Sequence, residues 1–511
     1  MILVHPPVSK PGEPPAGIAR LSGALKFHGI KHTLLDANLE GLLYLLKSPK
    51  PDGVADVWSG RAFRNLGKNL ELIKSPAPYL RMDRYKRVVR DLGRVIEKVS
   101  KAYGADVGIA NYQQDGLSPL RSADLIISAG QFDKNIFYPY FRTRLASMIH
   151  QEQPEWIGFS LNYLSQALCT FAMIGFVKRE FPSLKVIIGG GLVTSWLSSP
   201  LWRDPFAGLV DHFISGPGEE KLLSLLGIFD KERTYTPDYQ ALPIDDYFSP
   251  GFVLPYSGST GCYWNRCTFC PEKAEGTRYL PVPPEKVISD INLLKEGHFP
   301  VLIHFLDSAV SPSLMEALSD KGPSVPWYGF ARVSRQLTEP EFCLSLKRSG
   351  CVMLQLGIES GDQTVLDNME KGISIKMASQ ALKALKKAGI ATYVYLIFGT
   401  PAETLKSAKK TLEFTAGHCG SIDFLNLAVF NMPVCGAASN GLDTRKFYDA
   451  DLSLYTDFTH PAGWDRKQVR QFLENEFKKH PSISAILKND PPVFTSNHAP
   501  FFVMEREKVE G

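Results

Sequence analysis

The chain has 511 residues, 44% of them hydrophobic and 22% charged, with 57 basic against 53 acidic side chains and a formal net charge of +4. This is the composition of a soluble globular chain long enough for two or three domains with sizeable cores, and its charge bias is too weak for a nucleic-acid surface. No apolar run approaches the ~20 residues of a membrane span, and the opening MILVHPP lacks a basic segment followed by an apolar one, so a cytoplasmic location is expected.

In chain order, residues 2–5 form a short apolar strand, 18–28 have helical spacing, and 32–36 (HTLLD) form a second strand. This is a βαβ beginning. Residues 41–150 interrupt it and read as a mostly helical insertion. Within 83–101, Tyr85, Val88, Val89, Leu92, Val95, Ile96 and Val99 make one apolar face. The sheet pattern resumes with a strand at 156–160, a helix at 166–179, a strand at 186–188 ending in three glycines, a strand at 209–215 and a helix from 221. An open, Rossmann-like parallel sheet over 1–227 accounts for this order. A Pro-, Asp- and Tyr-rich linker covers 228–250. In 251–432, strands are expected at 252–257, 302–307, 327–332, 353–359, 393–398 and 424–430. Helices lie between them, including 284–296, 339–349 and 376–388, with Gly350 and Gly389 at helix ends. Six βα units make a partial (β/α)6 barrel, two units short of a complete one. Residues 433–511 read as a small helical C-terminal region.

The eight cysteines are too few for a disulfide scaffold. Cys169, Cys343, Cys351, Cys419 and Cys435 are expected to be buried structural thiols. The other three lie together in GCYWNRCTFC (261–270) as Cys262, Cys267 and Cys270. A structural zinc takes four ligands, usually as two pairs, and no second C-x2-C exists; a distant histidine as fourth ligand stays open. A redox pair of Cys267 and Cys270 leaves Cys262 without a role. Three thiolates can hold three irons of a 4Fe–4S cubane and leave the fourth open. The motif follows the first barrel strand, where barrel active sites form.

This stretch resembles the radical S-adenosylmethionine (SAM) superfamily over 252–430. The resemblance implies that the open iron binds SAM, whose reductive cleavage gives a 5′-deoxyadenosyl radical that abstracts hydrogen from substrate. Phe269 matches an aromatic residue near the adenine. FARVS (330–334) places Arg332 near the SAM carboxylate, and Asp307 ends the second strand facing the same pocket. LGIESGDQTVLDNMEKG (356–372) gives Glu359 as the residue on the ribose hydroxyls, and YLIFGTPAET (395–404) gives Ile397 and Gly399 around adenine. The usual spacing is C-x3-C-x2-C; here the first gap holds one residue more.

The N-terminal loops resemble those of the superfamily's cobalamin-binding subgroup: PPVSKPGEPPAGIARLSGAL (6–25), LLDAN (34–38), GFSLNY (158–163), GGGLVTS (189–195) and GPGEEKLL (216–223). The resemblance implies a cobalamin site at Pro7, Ser160, Asn162, Gly189, Gly190, Thr194, Gly216 and Glu219. The D-x-H-x-x-G motif that supplies a cobalt-ligating histidine elsewhere is absent, and His5, His28 and His32 are expected to be packing or surface residues. The implied activity is cobalamin-dependent methylation of an unactivated carbon in a small-molecule or peptide substrate, with electrons from a flavodoxin or ferredoxin. The alternatives are a radical cyclisation, rearrangement or oxidation without methyl transfer, and a non-catalytic iron–sulfur electron carrier. The strand-end motifs argue against the carrier. The charge balance argues against RNA modification.

Overall fold

In a computed structural model, residues 1–52, 56–230, 234–437, 441–492 and 498–510 are described. By its internal contacts the chain divides into two compact units. The first comprises Met1–Val253, Tyr448–Leu454 and Pro492–Asn497; the second comprises Leu254–Phe447, Tyr455–Pro491 and His498–Gly511.

The first unit is built on five parallel strands: β1 (Ile2–His5), β2 (Thr33–Asp36), β3 (Trp156–Ser160), β4 (Lys185–Gly189) and β5 (His212–Ile214), in the spatial order β2-β1-β3-β4-β5. β1 is buried throughout and β3 up to its last residue, as strands covered on both faces must be. β5 is shorter than its apolar run predicts: Leu209 and Val210 donate their amides to the Phe206 carbonyl in a turn instead. The 41–150 segment is mostly helical, and the apolar face of the helix Met82–Lys101 is buried at all seven expected positions. It also contains a β-hairpin, Ala105–Val107 paired with Tyr112–Gln114, which the helical reading missed. The insertion packs tightly on the sheet domain's own helix Leu164–Glu180. There a Cβ on Gly175 would lie 1.9 Å from the Ala129 carbonyl oxygen, and Ser128 Oγ donates to the Leu168 carbonyl at 2.8 Å.

The second unit holds the six expected strands: β6 (Val253–Tyr256), β7 (Leu302–Phe305), β8 (Trp327–Ala331), β9 (Cys351–Glu359), β10 (Ala391–Phe398) and β11 (Phe424–Val429), in one sheet ordered β11-β10-β9-β8-β7-β6. The pairs from β7 to β11 are parallel, with helices on the connections. This is the partial barrel. Gly350 and Gly389 follow helix ends at positive φ, as expected. The C-terminal stretch is not purely helical: Met432–Pro433, Thr444–Arg445 and Tyr455–Phe458 form a small antiparallel sheet. These strands are short and mostly polar, without the apolar run that marks the four-residue β1 and β6, so the pattern does not reveal them. Among the described residues, no helix is long and apolar enough to cross a membrane. Cys169, Cys343 and Cys351 are buried as expected, whereas Cys419 and Cys435 are half-exposed, because they sit on short connecting turns.

Candidate functional site

The cysteine loop is anchored at both ends. Just after β6, the Gly258 amide and the Ser259 hydroxyl donate to the two carboxylate oxygens of Asp307, at 2.9 and 2.5 Å. Ser259–Thr260 then pair with Leu280–Pro281 and close the loop as a hairpin. Asp307, beyond β7, is 2% exposed. Its carboxylate therefore secures the turn that delivers the cysteines. Inside the loop the Cys270 amide donates to the Cys267 carbonyl at 3.2 Å, and the Thr268 amide donates to the Met369 carbonyl at 3.0 Å. The loop is thus tied to the segment following β9.

Cys267 is buried; Cys262 and Cys270 are half-buried, and all three are free thiols. Burial pushes the Cys267 thiol up, opposed by the Lys371 and Arg332 charges; burial also raises Cys270. Among the described residues, no three His, Cys, Asp or Glu side chains gather around a space for one ion. Three soft thiols spread along one loop suit a polynuclear iron–sulfur core, whose thiolates ligate different irons, better than one tetrahedral zinc. The donor set fits the cluster.

Arg332, beyond β8 and 7% exposed, lies against this loop. Its Nη1 is 3.7 Å from Cys267 Sγ, and Nη2 donates to the Lys371 carbonyl. Glu359 ends β9 with φ of +68°, where the register against β10 shifts. A non-glycine residue held in the left-handed region is uncommon, and such strain gathers at functional sites. Lys371 Nζ donates to Glu359 Oε1 at 2.7 Å and lies 5.6 Å from the centre of the Phe269 ring. At Gly357, one position before the bulge, a Cβ would meet Glu359 Oε1 at 2.5 Å, so this side chain lies along bare backbone. The expected Phe269, Arg332 and Glu359 are therefore brought together with Cys267. Lys371, which joins them, was missed; it sits within the quoted 356–372 stretch, but twelve residues from Glu359, so only the fold brings the two together.

Ile397 is half-buried on β10, beside Ala428 of β11. Gly399 follows with φ of +80°, and its amide donates to Glu403 Oε2 at 2.5 Å. The same oxygen accepts from Trp464 Nε1 at 2.9 Å. Burial raises the Glu403 carboxyl to about 7, with the two donors pulling it down. A carboxyl whose folded value exceeds its unfolded one contributes stability that is complete below the unfolded value and lost as pH rises through the folded value. Glu403→Gln is accordingly expected to match the wild type near pH 5 and to exceed its stability near pH 8. The gain is about 3 kcal/mol, since each tenfold change in proton affinity is worth roughly 1.4 kcal/mol. Denaturant melts at the two pH values check this; a difference that does not change with pH contradicts it.

In the first unit, the strand order places a topological switch point between β1 and β3, the crevice where open α/β sheets bind ligands. Ser160 ends β3. Asn162 Nδ2 donates to the Ser160 carbonyl and hydroxyl, both at 3.1 Å, and its Oδ1 accepts from the Gly191 amide at 3.0 Å. Gly190 has φ of +107°, and a Cβ there would lie 2.4 Å from the Leu161 carbonyl oxygen. Thr194 donates to the Gly190 carbonyl at 3.0 Å and accepts from the Gly216 amide at 2.9 Å. Glu219 pairs with Arg20 at 2.6 Å, and Pro7 lies buried in the loop after β1. The expected residues therefore knit the strand-end loops to one another. Gly189 and Gly190 are half-exposed and Gly191 exposed, and a Cβ on Gly216 would meet nothing within 4 Å, so bare backbone is left open to a large ligand. His5 is buried with Nε2 at 2.9 Å from Ser9 Oγ, a packing role as expected. Exposed strand-end backbone of this kind would fit a large planar ligand such as a corrinoid. At the C-terminal end of β2, Asp36 accepts from the Tyr247 hydroxyl at 2.7 Å and the Leu39 amide at 2.9 Å.

The family model "Radical SAM superfamily" matches residues 256–415. An uncharacterized methyltransferase of Pyrococcus horikoshii is 28% identical over 310 residues, 53% of this chain and 66% of that protein. The hopanoid C-3 methylase of Methylococcus capsulatus is 24% identical over 352 residues, 63% of this chain and 66% of that protein. The chain therefore spans just under two thirds of the length of these curated relatives. The solved structure of the radical SAM methyltransferase TsrM from Kitasatospora setae, with cobalamin and a [4Fe-4S] cluster, superposes with a TM-score of 0.49 at 15% identity, covering 84% of this chain and 72% of that one.

Proposed function

Because residues 256–415 are a radical SAM domain, we propose that the chain is a cobalamin-dependent radical SAM enzyme that methylates an unactivated carbon. The observation that carries this reading is the cysteine loop itself. It leaves the C-terminal end of β6 as a closed hairpin and is tied to the strand-end segment after β9, beside Arg332, Glu359 and Lys371. Cys262, Cys267 and Cys270 hold the cluster. Phe269, Glu359, Ile397 and Gly399 bind and orient SAM, and Asp307 fixes the loop. When loaded, these groups supply a primary carbon radical and a transferable methyl group. The protein's task is to hold the reactants and keep water away. The 1–227 region holds the corrinoid through Pro7, Ser160, Asn162, Gly189, Gly190, Thr194, Gly216 and Glu219, and 251–432 performs the radical step. Both relatives are named as methyltransferases or methylases, which supports methyl transfer. The substrate is a small molecule or peptide, and a flavodoxin or ferredoxin delivers electrons.

The test is anaerobic purification with cobalamin supplied, followed by iron analysis, visible spectra, corrinoid extraction and a SAM-cleavage assay. The reading requires bound iron, bound corrinoid and 5′-deoxyadenosine. A cluster with 5′-deoxyadenosine but no corrinoid replaces methyl transfer with cyclisation, rearrangement or oxidation. A cluster without SAM cleavage leaves an electron carrier.

A further inference from the structure

The longer first cysteine gap, Tyr263–Arg266, folds back on itself. Asn265 takes a left-handed turn, φ of +43°, a conformation asparagine tolerates well. The turn accompanies a neighbouring indole, Trp264, anchored on the segment after β9. Its Nε1 donates to the Glu370 carbonyl at 2.8 Å. Its six-membered ring lies over Gly372, where a Cβ would come within 2.0 Å of Cζ2. Two guanidiniums pack on the indole: Arg332 at 4.4 Å and Arg266 at 5.1 Å from the ring centre. An aromatic face attracts and orients such cations, most of all where water is partly excluded. Arg332 is the partner that also reaches Cys267 Sγ, at 3.7 Å.

We infer that Trp264 is a positioning residue: it clamps Arg332 against the Cys267 sulfur and so sets the reduction potential of the cluster. The inference rests on the cluster assignment made above. Hydrogen bonds and positive charge at a cluster's cysteine sulfurs stabilise the more negative, reduced state and raise its potential. Arg332 is thereby committed to the cluster side of the pocket, its Nη2 held by the Lys371 carbonyl, rather than to the SAM carboxylate. Gly372 belongs to the device because any side chain there evicts the indole.

The test is a redox titration of the anaerobically reconstituted full-length protein, followed by electron paramagnetic resonance, with iron measured in parallel. Arg332→Gln is expected to lower the midpoint potential, so that the reduced-to-oxidised ratio at a fixed potential falls about tenfold, which is 59 mV for one electron. Trp264→Ala and Gly372→Ala should each shift it in the same direction, and the double variant should shift no further than either. Trp264→Phe, which keeps a ring but loses the N–H, should fall between; it decides the matter if the alanine variants lose iron. Equal potentials in wild type, Arg332→Gln and Trp264→Phe at equal iron content overturn the clamp while leaving the cluster assignment standing. A wild-type protein that binds no iron overturns both.

Discussion

Replacing any one of Cys262, Cys267 and Cys270 with alanine should remove the bound iron and bring SAM cleavage to background. The loss should exceed the roughly 10–100-fold typical of groups that only support a metal ligand. The fold should survive. The backbone bonds from Thr268 to Met369 and from Cys270 to Cys267, the Trp264 indole on the Glu370 carbonyl and the Asp307 carboxylate all hold the loop without a sulfur atom, whereas the Arg332 contact to Cys267 is the tether that a Cys267 variant loses. By contrast, Cys343→Ala and Cys351→Ala, at fully buried positions on a barrel helix and at the start of β9, should lower stability without changing iron per folded protein. Iron retained in all three loop variants would sink the cluster assignment. Circular dichroism alongside iron analysis separates the two behaviours.

The second large effect belongs to Glu359 and Lys371. Their side chains are 12% and 6% exposed, and the ion pair spans 2.7 Å. Removing one member of a buried pair leaves the other charge uncompensated, at a typical cost of about 3–5 kcal/mol. Glu359→Gln should therefore lower stability by about 3 kcal/mol, since the amide still accepts one hydrogen bond. Adding Lys371→Met should recover most of that loss, because no unpaired cation remains. SAM affinity should respond differently. A carboxylate that accepts from the ribose hydroxyls contributes about 1.5–3 kcal/mol per bond, so both the single and the double variant should bind SAM roughly 10–100-fold more weakly. Equilibrium dialysis against the stability series distinguishes the roles. A double variant with wild-type SAM affinity would show that Glu359 serves the ion pair alone.

The three cysteines stood out in the sequence by their spacing, while Glu359 and Gly399 were expected from the resemblance of the stretches around them. The six barrel strands were legible because each carries a continuous apolar run. Lys371 and Trp264 were not, because their meaning is tertiary. Trp264 finds its partners at Glu370, Gly372 and Arg332, and no local pattern links those positions to residue 264. Glu403 lay inside a quoted motif, yet only the fold shows it enclosed between the Gly399 amide and the Trp464 indole. Asp307 is expected to face the SAM pocket, and only the fold shows its two oxygens accepting from Gly258 and Ser259, an arrangement that ties the turn after β6 to the end of β7. The hairpin at 105–114 and the short C-terminal strands escaped because they lack the continuous apolar run that marks the comparably short β1, β6 and β7.

The order β2-β1-β3 has a consequence for the way the chain is made. β1 is flanked on one side by β2, available once residue 36 has been synthesised, and on the other by β3, which begins at Trp156 beyond the whole helical insertion. At ribosomal speed that gap lasts on the order of 10 s. For that time the strand Ile2–His5, buried throughout in the finished fold, has one open and mostly apolar edge, the template from which misassembly starts. The insertion can collapse on its own valine- and leucine-rich helix during the wait, and closing a loop of that length adds only a logarithmic entropy cost. The docking of Gly175 onto Ala129 then couples the late strand's helix to structure already formed. During synthesis, the nascent chain should therefore depend most on chaperones between the emergence of residue 36 and that of residue 160.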